Sequence, residues 1–198
     1  MVALTLDDGP DPETTGPILD LLRRHRARAT FFVITGHVDD PALLRRLVAE
    51  GHELGNHGTL DRPHVRLPLA EFDLELRTAQ TALTRFGPVD WFRPGGGIAS
   101  PTMIERAEGL GLRPALGDVF PFDTQLGFVP WIVWYVTGAV RPGSIVVLHE
   151  RGGRGRRTLA ALERILPRLT ARGYRVTTLS GGAGIAAAAA PSESSRSK

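Results

Sequence analysis

Short runs rich in β-branched and aromatic residues alternate along this chain with longer segments of helical period, and that alternation restricts it to an α/β fold on a parallel sheet. The candidate strands are Val2–Asp7, Ala29–Thr35, Glu53–Asn56, Val89–Phe92, Leu112–Asp118, Ser144–His149 and Arg175–Leu179. The first, second and sixth are apolar for most of their length, as parallel strands covered on both faces are. Between them, Glu13–Arg26, Pro41–Glu50, Leu69–Phe86, a segment opening at Ser100-Pro101, and Thr158–Arg172 read as helices. Asp40 before Pro41 and Ser100 before Pro101 are cap-plus-proline starts, and Gly173 stops the last helix. Such a series lies open or closes into a barrel. In the closed form, functional residues gather at the carboxyl ends of the strands.

A length of 198 residues suits one domain, expected over residues 1–180, with the alanine-rich and then serine-rich stretch 181–198 as a disordered tail. The chain has no cysteine, which removes thiol catalysis, disulfide frameworks and cysteine-built zinc sites, so a metal must be held by His, Asp or Glu. Net charge is only +3, and most arginines lie beside carboxylates in helical segments, which argues against nucleic acid as a partner. The dense run Arg151–Arg157 reads as a solvated loop ahead of a helix. No apolar run approaches the roughly 20 residues that span a bilayer, so no membrane partner is expected. Met1–Leu6 reads at once as a strand, with no basic region leading into an apolar one. That fits a cytoplasmic protein, or an exported one whose leader precedes the residues given.

The polar residues fall where a barrel would place a site. Asp7 and Asp8 end the first strand before Gly9-Pro10, and side-chain alternation along an extended strand gives them different directions. His57 and Asp61 are four apart, a spacing that puts both on one face of a helical turn, and Asp8 would complete a facial set for a divalent cation. His64 is a substitute for Asp61 by sequence proximity. Arg93 follows the fourth strand, and Asp118 and Asp123 follow the fifth. His149 ends an apolar strand, a costly place for an ionisable group unless a partner such as Asp123 or Asp118 satisfies it.

Leu4-Thr5-Leu6-Asp7-Asp8-Gly9-Pro10, Ala29-Thr30-Phe31-Phe32-Val33, Gly51-His52-Glu53-Leu54-Gly55-Asn56-His57, Arg93-Pro94, Leu148-His149 and Gly173-Tyr174-Arg175-Val176 together resemble the polysaccharide deacetylases, the NodB-like carbohydrate esterases (family 4), in family order over about residues 2–180. The resemblance implies a distorted (β/α) barrel of about seven parallel strands. It implies Asp7 as catalytic base, Arg93 as its orienting partner, and His149 as general acid tuned by Asp123, with Asp118 the alternative. By the same resemblance Asp8, His57 and Asp61 bind a divalent metal, zinc first, with cobalt, nickel or manganese as options. Pro94, Gly96 and Leu148 would touch substrate. The implied activity is hydrolytic removal of N-acetyl groups from N-acetylglucosamine-containing saccharides of chitooligosaccharide or peptidoglycan type, by a monomer. The chain departs from the family pattern at Gly58 and Asp61, where Ser or Thr and a second histidine are usual, at Gly96, where a bulky aromatic is usual, and in Phe120-Pro121-Phe122-Asp123, which lacks a tryptophan. These departures keep two alternatives in view, an amidohydrolase acting on a small non-carbohydrate amide and a saccharide-binding module with a decayed site.

Overall fold

The computed structural model describes residues 1–182; of the expected tail, residues 183–198 lie outside the described residues, and Ser180–Gly182 forms a 3-10 turn. Seven strands run parallel: β1 (Val2–Asp7), β2 (Thr30–Val33), β3 (Glu53–Asn56), β4 (Trp91–Phe92), β5 (Arg113–Pro114), β6 (Ile145–His149) and β7 (Val176–Thr177). Their order is β5-β4-β3-β2-β1-β6, with β7 attached to the start of β1. Beyond β5 the chain returns to β6, where Val119 bridges Val146 and Val147 N–H donates to Val119 O at 3.0 Å. The sheet therefore curls toward closure, and the architecture is the distorted barrel expected.

Six α-helices cover its outside: α1 (Thr15–Arg24), α2 (Pro41–Ala49), α3 (Leu69–Leu83), α4 (Pro101–Glu108), α5 (Val129–Ala139) and α6 (Gly152–Ala171). Asp40 and Ser100 cap α2 and α4 through their side chains, as their sequence positions predict. None of the described helices is long and apolar enough to cross a membrane.

Two helical features differ from expectation. The sequence reading misses α5, because Val-Pro-Trp-Ile-Val-Trp-Tyr-Val is apolar on every side and shows no stripe of period 3.6. Ile132, Val133 and Val136 pack inward while Trp134 is exposed. In addition, α6 begins at Gly152, so most of the arginine run forms its first turns and is no loop. There Arg154 meets Asp8, Arg156 meets Glu13, and Arg157 approaches the carbonyl of Asp123.

Strand alternation sorts every residue near the strand ends into one of two cores. Val2, Leu4 and Leu6, Phe31, Leu54, Phe92, Val146 and Leu148 face the helices and join the large outer core. Ala3, Phe32, Trp91 and Ile145 fill the barrel interior. The interior is tight: a Cβ on Gly55 would lie 2.5 Å from the Phe32 ring, so glycine is required there. Continuing the inward register to the strand ends brings Asp7, His57, Arg93 and His149 over the same mouth.

Candidate active site

In the pairing of β1 with β6, Asp7 stands directly beside His149. Arg93 NH1 donates to Asp7 Oδ1 and to Thr5 Oγ1, both at 2.7 Å, and its Nε donates to Ala115 O at 2.9 Å. The guanidinium also lies 4.1 Å from the centre of the Phe32 ring. Both partners are buried, so one carboxylate is held in a fixed orientation by a charge that cannot be deprotonated. Across the mouth, Asp123 accepts from His149 Nδ1 at 3.0 Å and from the His149 backbone N–H at 3.0 Å. Burial disfavours a charged imidazole, but the hydrogen bond and charge of Asp123, helped by Asp7 and Asp8, outweigh it and raise the His149 pKa. One carboxylate is thus bound to a permanent cation, and one imidazole is biased to keep its proton. Asp118 takes no part; it accepts from Ile145 N–H at 2.6 Å and Ser144 Oγ at 2.8 Å, which places it at the start of β6, away from His149.

Asp8 has φ of 74°, a left-handed conformation that costs a residue with a side chain on the order of 1–3 kcal/mol. That twist turns its carboxylate toward His57, with Oδ1 3.5 Å from Nε2. His57 Nδ1 lies 2.8 Å from Arg93 O and must donate to it, which leaves the Nε2 lone pair facing Asp8 when the ring is neutral. Two metal–ligand bonds of about 2.0–2.1 Å at a tetrahedral angle separate their donor atoms by roughly 3.4 Å. The Asp8–His57 pair therefore fits a shared divalent cation. Asp8 is held down to about 2, burial being outweighed by His57 and its other cationic neighbours, so it is an anion at neutral pH. Burial opposes a charge on His57, but Asp8 and Asp7 outweigh it and raise its pKa.

The third expected ligand is placed differently. Asp61 lines the same cleft, yet it is half exposed and pairs with Arg154 NH2 at 3.5 Å. Among the described residues no three His, Asp or Glu side chains already surround one point. His64 is no substitute. It is buried against Phe72 and Phe92, its Nδ1 accepts from Gly95 N–H at 3.0 Å, and its Nε2 lies 3.6 Å from Glu75. Burial lowers its pKa to about 4. Leu148, expected to touch substrate, does not line the cleft: it is fully buried in the outer core, because alternation turns it away from the mouth while Val147 and His149 face it. Pro94 and Gly96 do line the cleft, which encloses about 550 Å³ and lies within the roughly 300–1,000 Å³ usual for small-molecule sites.

Two further buried carboxylates, Glu75 and Glu150, lie close to the site, and neither is among the candidates that the sequence offers. Glu75 on α3 accepts from Thr59 N–H at 3.3 Å and Arg62 Nε at 2.6 Å, bracing the loop after His57. Its signal is a carboxylate three residues after Phe72 on an otherwise apolar stripe. Glu150 points away from the mouth beneath Gly9, where an added Cβ would fall 1.5 Å from Glu150 Oε1, and Thr15 Oγ1 donates to its Oε2 at 3.0 Å.

Burial raises the Glu150 pKa from 4.5 to about 8. The folded state then holds a proton that the unfolded chain releases, so this residue lowers stability progressively as pH rises from 4.5 to 8. At pH 7 the loss is about 3 kcal/mol. Glu150→Gln keeps the shape and removes the ionisable group. Denaturant unfolding should show the variant more stable than the parent at pH 7 and no different near pH 4; equal stabilities at both would contradict this account of Glu150.

Comparison with known proteins gives four concordant findings. The polysaccharide deacetylase family model matches residues 1–115. A chitooligosaccharide deacetylase of Rhizobium leguminosarum bv. trifolii is 38% identical over 194 residues, covering 90% of this chain and 89% of that one. A peptidoglycan-N-acetylglucosamine deacetylase of Bacillus cereus is 35% identical over 185 residues, covering 91% and 86%. Among solved structures, a family 4 acetyl xylan esterase from Clostridium thermocellum in complex with a cobalt ion superposes with a TM-score of 0.83 at 29% identity, covering 93% of this chain and 90% of that one.

Proposed function

The chain belongs to the polysaccharide deacetylase family, and from that premise we propose that it is a metal-dependent N-deacetylase of N-acetylglucosamine-containing saccharides, releasing acetate and a free amine. Residues 1–180 form its catalytic domain in this reading. The observation that carries it is the opposition, over one mouth, of an Asp7–Arg93 pair and a His149–Asp123 pair beside Asp8 and His57.

Asp8 and His57, with Asp61 as third donor, would hold a divalent cation, zinc in this proposal, which would supply the Lewis acidity that makes water nucleophilic near neutral pH. Asp7 takes the proton of the attacking water, its carboxylate aimed by Arg93. The backbone N–H of Gly96, on the cleft wall, is the donor proposed for the developing oxyanion. His149 gives its proton to the departing nitrogen, and Asp123 stabilises the imidazolium before transfer. The two residues begin in opposite proton states and exchange them over one turnover.

The test is acetate release from a panel of N-acetylated chitooligosaccharides, peptidoglycan fragments and simple acetamides. Turnover of the N-acetylglucosamine saccharides and little of the simple amides is expected. Turnover confined to the simple amides would assign the chain a small amide as substrate instead.

A further inference from the structure

Arg154, the third residue of α6, reaches into the cleft with NH1 3.0 Å from Asp8 Oδ2 and NH2 3.5 Å from Asp61 Oδ2. Asp8 therefore divides its oxygens, Oδ1 toward His57 and Oδ2 toward Arg154. Asp61 is the more exposed of the two carboxylates, and the ion pair it makes among the described residues is this one.

Two carboxylates and a neutral imidazole would cancel a divalent cation completely. A guanidinium is charged at every accessible pH, so Arg154 returns one positive charge to the cluster. It also holds Asp61 by a contact that Asp61 must loosen to reach an ion shared by Asp8 and His57.

Resting on the metal-centre reading above, we propose that Asp61 and Arg154 work as one neutral unit, in which Arg154 withholds Asp61 and so limits how tightly the site grips a divalent cation. Two effects of Arg154 must be told apart. Direct repulsion of the ion would act whether or not residue 61 carries a charge, and it is weakened by the partial exposure of the side chain. Withholding of Asp61 vanishes once Asp61 is gone.

A double-mutant cycle on cation affinity separates them. Zn2+ is titrated calorimetrically into the full chain after chelation and dialysis, for the parent, Arg154→Met, Asp61→Asn and the double variant, with circular dichroism confirming the fold of each. Arg154→Met is expected to tighten Zn2+ binding about tenfold in the parent, and by no more than about threefold when Asp61 is Asn. Arg154→Lys keeps the charge and should stay closer to the parent than Arg154→Met does. Unchanged or weaker binding by Arg154→Met, or equal tightening in both backgrounds, would overturn the inference while leaving the metal centre standing. Failure of the parent and every variant to bind Zn2+ would remove the metal centre and this inference with it.

Discussion

Asp7→Asn should lower kcat for acetate release by roughly 10³-fold, within the range of about 10²–10⁴ that a positioned general base contributes. The expectation follows from how Asp7 is held. Its Oδ1 accepts from Arg93 NH1 at 2.7 Å and both groups are buried, so asparagine can keep the shape and that hydrogen bond while losing the ability to take a proton. Asp7 is also not among the proposed ligands, so Zn2+ affinity should change far less than turnover does. The substitution leaves a buried guanidinium with less compensation, which will cost stability. Arg93 still donates to Thr5 Oγ1 and Ala115 O, and a shifted melting curve with retained cooperativity is the expected control. A variant that folds, binds Zn2+ and turns over within tenfold of the parent would show that Asp7 is not the base.

His149→Ala should lower kcat by roughly 10²–10⁴-fold on an N-acetyl amide, and much less on an acetate ester with a good leaving group. An amine cannot depart as its anion, whereas such a leaving group can depart unprotonated, so the ratio between the two substrates isolates the acid. The pH profile gives the companion result. His149 acts when protonated, so activity falls as pH rises through its pKa, and the neighbouring Asp123 moves that fall to higher pH. Asp123→Asn removes the charge at 3.0 Å and should move the alkaline limb of kcat/KM to lower pH. Equal losses on amide and ester, with an unmoved alkaline limb, would assign His149 a structural role.

Much of this site is readable from the chain because strand alternation is a strict rule. Once Val2–Asp7 and Ile145–His149 are recognised as buried parallel strands, Asp7 and His149 must end them, and the register decides that both face inward. Applied to its end, the same rule places Leu148 in the outer core. The family resemblance implies substrate contact there, but a one-residue step along a strand reverses the face. The helix α5 escapes notice for the opposite reason: its outer side is as apolar as its inner side, so periodicity carries no signal. Side-chain pairing between distant elements is the least legible. Nothing local shows that Arg154 will meet Asp8 and Asp61, or that His64 will turn to Gly95 and Glu75, because these contacts are set by where α6 and α3 dock. The run Arg151–Arg157 illustrates this. Glycine and arginine in alternation read as loop, yet helix formation from Gly152 is favoured by the acidic groups that its arginines find only in the folded protein.

In the proposed reaction one divalent cation beside Asp8 and His57 works with an acid–base couple to cleave an N-acetyl amide. The most direct measurement is acetate release from a chitooligosaccharide by the chain stripped of cations, before and after one equivalent of Zn2+ is returned. The stripped chain should show no turnover and regain it on Zn2+ addition. Undiminished acetate release from protein confirmed to be metal-free would rule out the metal-dependent reaction.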